Sequence, residues 1–232
     1  MASSTPSPTE NRRRRERRER RAAILDAARS VLFSQGIAQT TMDDVAAAAE
    51  LSKGTIYLYF QSKETLLAAL LQEGLTLLVK QLEAAYGAGQ PLPAVTRLRR
   101  LARAYFDFFQ AHPHYYRLLM ALDRRQFQES VEPDMYRQIL IRSTRGLTYV
   151  VQAIEQGVAE GDFQTENPRE AASVIWATLH GVYIILGHPL RREMVAADLE
   201  QLYQAALELA IQGLTGRTDG TPRVERKEDD GR

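Results

Sequence analysis

Hydrogen-bond donors are concentrated in one short part of the chain, just before Lys63. Residues 51–63 contain no acidic residue, and they carry hydroxyls, amines and phenols on Ser52, Lys53, Thr55, Tyr57 and Tyr59. Donors of these types suit the phosphates and base edges that line a DNA groove. The chemistry that this segment favours is therefore binding to nucleic acid.

A run of arginines lies upstream of the donor segment. Residues 12–21 contain eight arginines and two glutamates, and they follow a stretch rich in Ser, Thr and Pro. Guanidinium groups bind phosphates with little sequence preference, and basic arms of other DNA-binding proteins enter the minor groove. Two interpretations stay open: an arm that contacts DNA and a solvated extension.

The overall charge of +1 hides an asymmetry along the chain. Residues 1–63 carry eleven Lys and Arg against seven Asp and Glu, a net charge of +4. Residues 64–215 carry fourteen against seventeen, a net charge of −3. Positive charge at the end that holds the donor segment is typical of a modular DNA-binding protein.

Several other classes of protein are disfavoured by the sequence. The chain has no cysteine, which excludes disulfides and thiolate metal sites and fits a reducing cytosol. The longest apolar stretch, residues 171–186, is interrupted by polar side chains, and the N-terminus lacks the apolar core of a secretory signal. We therefore expect a cytoplasmic protein.

Catalytic and metal-binding patterns are weak. His112 and His114 flank Pro113, but this spacing without a cysteine or a Glu-x-x-His pair does not predict a metal site. The sequence also has no Gly-rich phosphate loop and no Gly-x-Ser-x-Gly elbow. We expect no enzyme activity, no cofactor and no metal.

Two short helices must position the donor segment. Thr41 and Asp44 have the spacing of a capping box, which predicts the start of the first helix. Small residues over 45–49 allow a second helix to approach closely, and a turn follows at Glu50. Ser52 then predicts the cap of a second helix, Lys53 to Tyr59.

This arrangement resembles the helix-turn-helix of the tetracycline-repressor (TetR) family of bacterial transcription regulators. The resemblance rests on these residues of the run from Thr41 to Lys63: Asp44, Val45, Ala46, Ala49, Leu51, Ser52, Gly54, Ile56, Tyr57, Tyr59, Phe60 and Ser62. Residues 24–36 are similar to the first helix of the family. Glu50 departs from the pattern, because the family most often has glycine there; a positive φ at Glu50 would cost about 1 kcal/mol.

The resemblance implies roles for individual side chains on DNA. Thr41 and Lys63 would contact phosphates, Lys53, Gly54 and Thr55 would approach base edges, and the two tyrosines would press on the sugar-phosphate backbone. The full set of expected DNA-binding residues within Thr41–Phe60 and at Lys63 is Thr41, Ser52, Lys53, Gly54, Thr55, Tyr57, Tyr59 and Lys63.

Helical periodicity continues through the rest of the chain and predicts an all-α protein. Helices are expected at residues 18–35, 62–86, 94–111, 114–122, 133–160, 168–186 and 194–212. The predicted organisation is a disordered basic arm at 1–17, a DNA-binding domain at 18–78, a helical effector-binding and dimerisation domain at 79–214 and a disordered tail at 215–232.

Two sites in the second domain follow from the resemblance. A pocket for a hydrophobic or aromatic small molecule would use Phe106, Phe109, Arg145, Tyr149, Trp176 and His180. A homodimer interface, a four-helix bundle in the family, would use Val174, Thr178, Val182, Ile185, Leu202, Ala206 and Leu209. Each residue could instead belong to the core of a single chain.

The resulting expectation is a ligand-responsive repressor that binds a near-palindromic double-stranded operator as a homodimer. One alternative keeps the DNA-binding domain but gives the second domain only dimerisation or a protein partner, without an effector. A second alternative, from another class, is a helical-bundle enzyme that uses the DNA-binding domain for localisation.

Overall fold

The computed structural model describes residues 7–122, 129–187, 189–195 and 198–216, and every regular element within them is helical. The predicted all-α fold is confirmed. The helices are α1 Pro8–Gln39, α2 Met42–Ala48, α3 Lys53–Tyr57, α4 Lys63–Tyr86, α5 Ala94–Ala111, α6 Pro113–Leu122, α7 Pro133–Glu160, α8 Pro168–Leu186, α9 Pro189–Met194 and α10 Leu199–Leu214.

The chain divides into two compact units. The first comprises residues up to Ala85 together with Arg103–Gly146, and the second comprises Tyr86–Ala102 together with residues from Leu147 onward. The boundary falls inside α4, α5 and α7, so these helices contribute residues to both units.

The first unit is built around α1 and α4. Ile24, Leu25, Ala28 and Leu32 give α1 a buried face, which packs against α2. An almost unbroken run from Leu66 to Leu71 is buried at the start of α4. Gly74 lets α6 approach α4 closely, because a Cβ at this position would lie 2.5 Å from the Tyr115 ring.

The second unit has its largest helix contact between α8 and α10. Tyr203 is fully buried there, and its hydroxyl donates a 2.9 Å hydrogen bond to the carbonyl of Ala102. The Tyr203 ring also meets the Tyr183 ring edge-on at 5.7 Å. These contacts fix α8 and α10 side by side.

The first helix begins ten residues earlier than the predicted start at residue 18. Ser7 accepts a hydrogen bond from the backbone N–H of Glu10, the Glu10 carboxylate accepts one from the backbone N–H of Ser7, and Pro8 occupies the first turn. Residues 8–17 of the arm predicted to be disordered are therefore helical. Residues 1–6, and 217–232 of the predicted tail, lie outside the described residues.

The predicted helix ends agree well with the structure where glycine sets them. Gly36, with φ +82°, breaks the helical backbone of α1 where the sequence predicts the first helix to end, and residues 37–39 continue α1 beyond this kink. Gly161, also with φ +82°, directly follows α7; glycine adopts this conformation at little cost. The last helix begins later than predicted, at Leu199, because Asp198 caps it with a 2.8 Å bond from the backbone N–H of Gln201.

By length and composition alone, α4 could cross a membrane, although the longest apolar stretch in the sequence is residues 171–186. In the structure 61% of its most apolar window is buried. Burial of this kind is expected of a helix in a protein core.

Candidate nucleic-acid interface

The capping box at the start of α2 forms as predicted. The backbone N–H and the hydroxyl of Thr41 donate to one Asp44 carboxylate oxygen at 2.9 and 2.7 Å, and the N–H of Asp44 donates to the hydroxyl at 3.2 Å. The two bonds that Thr41 donates to the carboxylate, the hydroxyl bond first, lower the pKa of Asp44 below its ordinary value. The hydroxyl proton of Thr41, for which the family resemblance implies a phosphate partner, is therefore directed at Asp44.

The turn between α2 and α3 places Glu50 in the left-handed region, with φ +53°. Among the described residues it is the one non-glycine with positive φ. Glu50 is the position at which the family pattern most often has glycine, the residue that adopts a positive φ at little cost. Hydrogen bonds from the N–H of Glu50 to Ala47 and from the N–H of Leu51 to Ala46 hold the turn against that strain.

Helix α3 presents its polar side chains to solvent. Ser52 caps the helix by accepting from the N–H of Thr55 at 3.2 Å, and the two hydroxyls lie 2.8 Å apart. Lys53 donates a 2.8 Å hydrogen bond to Asp43, and this bond raises the pKa of Lys53. Because both partners of this pair are exposed, the ion pair holds Lys53 only weakly.

The aromatic and apolar residues of α3 divide into core and surface. Ile56 and Phe60 are buried, whereas Tyr57 is 42% exposed and Tyr59 is half-buried. Leu58 is 75% exposed, a position that the sequence analysis did not single out. Leu58 and Asp43 are thus two surface residues beside the predicted DNA contacts that the motif alone did not indicate.

Gly54 is exposed, and a Cβ added there would meet only the Ser52 hydroxyl, at 3.9 Å. Lys63 begins α4, and its Nζ lies 3.5 Å from the carbonyl oxygen of Ala38. Of the eight predicted DNA-binding residues, six lie on or next to α3; Thr41 begins α2 and Lys63 begins α4. The structure therefore groups them around one short helix.

The first helix is joined to α6 and α4 by polar and aromatic contacts. The Phe33 ring stacks on the His114 ring at 4.1 Å, and Arg29 pairs with Glu73 at 2.7 Å. Burial first, and then the nearby Arg117, lowers the pKa of His114, while the bond to Glu73 raises that of Arg29. The two histidines beside Pro113 thus take part in aromatic packing, since His112 packs on Phe108 at 4.9 Å.

The six residues predicted for an effector pocket lie in different settings. Within the first unit, Phe106 and Phe109 are buried and Arg145 is exposed. Within the second unit, His180 is buried, Tyr149 is half-buried beside the Tyr86 ring, and Trp176 is 47% exposed. Arg145 and Trp176 therefore do not lie in an enclosed pocket, because each is on the solvent side of its helix.

Three of the open clefts formed by the described residues are not lined by any of those six residues. One of about 990 Å³ follows the arginines at the start of α1. A second, of about 630 Å³, lies within the first unit between α1, α4 and α6 and includes Arg29, Phe33 and Tyr115. The third, of about 480 Å³, lies within the second unit around residues 90–97 and 156–162.

The residues predicted for a dimer interface form an uncovered apolar face on α8 and α10. Val174 is 59%, Ile185 41% and Leu209 69% exposed. Thr178 is exposed, and Leu202 and Ala206 are half-buried. Val182 differs from the others: it is only 6% exposed, because it lies about 80° around α8 from Val174, at the edge of this face, and packs into the core of its own unit.

Comparison with known proteins agrees with this geometry. The family model "Bacterial regulatory proteins, tetR family" matches residues 24–70, and "Tetracyclin repressor-like, C-terminal domain" matches residues 98–210. The HTH-type transcriptional regulator YhgD of Bacillus subtilis is 30% identical over 192 residues, which cover 78% of this chain and 93% of that protein.

Solved structures show the same fold. A protein of unknown function from Rhodococcus sp. RHA1 superposes with a TM-score of 0.68 at 24% identity, covering 84% of this chain and 95% of that one. The transcriptional regulator FadR from Bacillus subtilis, in complex with stearoyl-CoA, superposes with a TM-score of 0.63 at 23% identity, covering 83% of this chain and 98% of that one.

An exposed polar helix held by a tight turn on two supporting helices defines a helix-turn-helix DNA-binding protein. The chain belongs to the TetR family of bacterial transcription regulators.

Proposed function

We propose that the protein is a homodimeric, cytoplasmic repressor that binds a near-palindromic operator through α3 and leaves it when a small molecule binds the second domain. The observation that carries this proposal is the uncovered apolar face on α8 and α10, with Val174 and Leu209 more than half exposed. An exposed apolar face of this kind usually marks an interaction surface. A second copy of the same face would cover it around a two-fold axis.

Dimerisation gives the DNA-binding domain its geometry. Two copies of α3 must lie about 34 Å apart, which is one helical turn of DNA, or a whole multiple of that distance. At this spacing both can enter major grooves on one side of the duplex. Each α3 would bring Lys53, Gly54 and Thr55 to base edges, while Tyr57 and Tyr59 contact the backbone. The operator is then expected to consist of two inverted half-sites.

The DNA contacts are tested by substitution on α3. On a duplex selected from a random pool, we expect Lys53→Ala and Tyr57→Ala each to weaken binding about tenfold or more, measured by fluorescence anisotropy. Lys80→Ala removes an exposed lysine from α4 and serves as the control, with unchanged affinity. If the wild type and all three variants bind the duplex with equal affinity, the roles assigned to Lys53 and Tyr57 are wrong.

The effector is proposed to be a hydrophobic or aromatic small molecule. The support is the aromatic content of the second domain and the structural neighbour FadR, which was solved with stearoyl-CoA. An effector can act only through its different affinity for the DNA-bound and DNA-free states, usually about 1–3 kcal/mol. We therefore expect a suitable ligand to weaken operator binding roughly 5–150-fold.

The exposure of Arg145 and Trp176 favours the alternative in which the second domain only dimerises or binds a protein. Titration of the operator complex with long-chain acyl-CoA and with aromatic carboxylic acids separates the two proposals. Release of DNA at saturating probe supports an effector-responsive repressor. Retention of the complex with every probe supports the alternative.

A further inference from the structure

The start of α1 is an ordered helix that extends the DNA-binding domain. Residues 8–21 precede the part of the chain that matches the family model, which begins at residue 24. Ion pairs one turn apart, Arg12–Glu16 at 3.6 Å and Arg15–Glu19 at 3.5 Å, support the helix beyond its capping box. At 1.5 Å per residue these fourteen residues form a rod about 20 Å long.

The charges on this rod are segregated. With about 100° between successive residues, the two ion pairs fall on one side, which we call the paired face. Its two arginines and two glutamates cancel. The remaining arginines fall on the other side, which we call the arginine face: Arg13, Arg14, Arg17, Arg18, Arg20 and Arg21. Glu10 is the one acidic residue of the rod on this side; it lies in the first turn, where its carboxylate accepts the N–H of Ser7.

The arginine face continues the buried face of the same helix. Arg17 precedes Ile24, and Arg21 precedes Ala28, by seven residues, and this spacing returns a side chain to nearly the same side of a helix. Ile24 and Ala28 pack into the helix-turn-helix core. The arginine face is therefore directed to the side of α1 on which α2 and α3 lie.

Arg21 marks the junction between the two parts. Its guanidinium lies 4.9 Å from the centre of the Phe60 ring, and Phe60 follows α3 in the chain. A cation–π contact of this kind anchors Arg21, the last arginine of the rod, to the segment that directly follows α3. The rod is thus held in a defined rotation relative to α3 and is not free to turn its charges in any direction.

We propose that the arginine face is a second DNA-binding surface, which binds the phosphates that flank the half-site contacted by α3. This inference rests on the proposed operator binding and adds a rigid, one-sided contact to it. Guanidinium groups suit phosphate oxygens because they donate two parallel hydrogen bonds. Six arginines against one glutamate, a net charge of +5 within about 20 Å, match a duplex backbone, which carries charge along its whole length.

A pair of charge-matched variants tests the proposal on the full chain. Arg13→Gln with Arg17→Gln removes two charges from the arginine face, and Arg12→Gln with Arg15→Gln removes two from the paired face. Glutamine keeps the helix propensity in both. The operator duplex carries flanks on each side, and its affinity is measured by anisotropy at a series of salt concentrations.

The expected result is a different salt dependence for two proteins of equal net charge. Loss of two phosphate contacts lowers the slope of log affinity against log salt by about 1.8, whereas the paired-face variant keeps the wild-type slope. Trimming the flanks from the duplex should abolish the difference. Equal slopes for both variants would overturn the proposal, while a wild type that binds no selected duplex would overturn operator binding itself.

A change of helical phase tests the rigidity of the rod. One alanine inserted between Glu19 and Arg20 keeps every charge but rotates the preceding arginines by about 100°. We expect the inserted protein to show the reduced slope of the arginine-face variant, with an unchanged circular dichroism spectrum. An unaltered slope would mean a flexible arm and would contradict the proposal. So would an arginine-face variant that keeps its DNA slope but loses binding to anionic lipid vesicles.

Discussion

At the scale of single residues, Gly54 is informative because the fold of the free protein gives no reason for it. It lies in a helix, its φ is not positive, and an added Cβ would meet only the Ser52 hydroxyl at 3.9 Å. Glycine is a poor helix former, so alanine should be preferred there if folding alone mattered. The advantage of glycine must then lie in what approaches α3 from outside.

Gly54→Ala distinguishes the requirement of folding from the requirement of DNA binding at this position. We expect the free energy of unfolding in denaturant to stay the same or to rise by up to about 1 kcal/mol, because alanine favours the helix. Operator affinity should fall about tenfold, because the new methyl group would collide with a closely approaching base edge. A variant that binds the operator as tightly as the wild type would show that no close backbone approach occurs at this residue.

Local contacts on α2 and α3 could be predicted from the sequence, and longer-range ones could not. The caps at Thr41 and Ser52 depend on partners three residues away, so their pattern is visible in the chain. The family pattern, which has glycine at position 50, raises a positive φ at Glu50 only as a condition, and the structure shows that φ is +53° there. The Lys53–Asp43 pair joins two helices across a turn, and no sequence spacing indicates it.

At the scale of elements, helix ends were predicted where glycine or proline sets them, and the start of α1 was not. The arginine run suggested a disordered arm because its net charge is high. The same ten residues also contain Arg–Glu spacings of four, which stabilise a helix. The Ser7–Glu10 capping box then fixes the start of α1.

The C-terminal end of α4 is held by a buried arginine that the sequence did not reveal. Arg97 is 7% exposed and donates to the carbonyls of Tyr86, Gly87 and Gln90, the last two at 2.9 and 2.5 Å. Its guanidinium also lies 4.7 Å from the Tyr86 ring. These bonds satisfy carbonyls that a helix end leaves without partners.

Arg97→Met should therefore destabilise the protein although it keeps a long apolar stem. We expect a loss of about 2–4 kcal/mol in the free energy of unfolding, because one buried and two part-buried hydrogen bonds from a charged donor are lost. Arg100→Met is the control: Arg100 donates to the Gln90 side chain at 3.1 Å in an exposed bond, and its loss should change stability by less than about 0.5 kcal/mol. Chemical denaturation of both variants measures this difference in stability. Equal unfolding midpoints for the two variants would refute the capping role of Arg97.

At the scale of the whole molecule, the composition of the two units illustrates what sequence periodicity cannot provide. Periodicity indicates which face of a helix is buried, but it does not say which other helix covers that face. Residues 103–146 belong with the helix-turn-helix in the first unit, although residues 86–102 belong to the second. The contact of Phe33 with His114 is one such pairing, between residues more than eighty positions apart.

The proposed dimer connects the apolar face of α8 and α10 with the DNA contacts of α3. Two copies of α3 can enter successive major grooves only if the dimer holds them at a fixed distance. Val174→Glu combined with Leu209→Glu places two charges on the uncovered face of α8 and α10. We expect this variant to be monomeric at micromolar concentration by light scattering, with the helical content of the wild type. A charge is strongly disfavoured in an apolar interface, whereas an exposed position on a monomer tolerates it.

Leu140→Glu is the matched control, since Leu140 is 55% exposed on α7 and lies outside this face. It should remain a dimer and bind the palindromic operator as the wild type does. The double variant should lose at least tenfold in affinity for the full palindrome while keeping the wild-type affinity for an isolated half-site, because its α3 is unchanged. A double variant that still dimerises would place the interface elsewhere, and a monomer that binds the palindrome at full strength would show that the two copies of α3 need no fixed spacing.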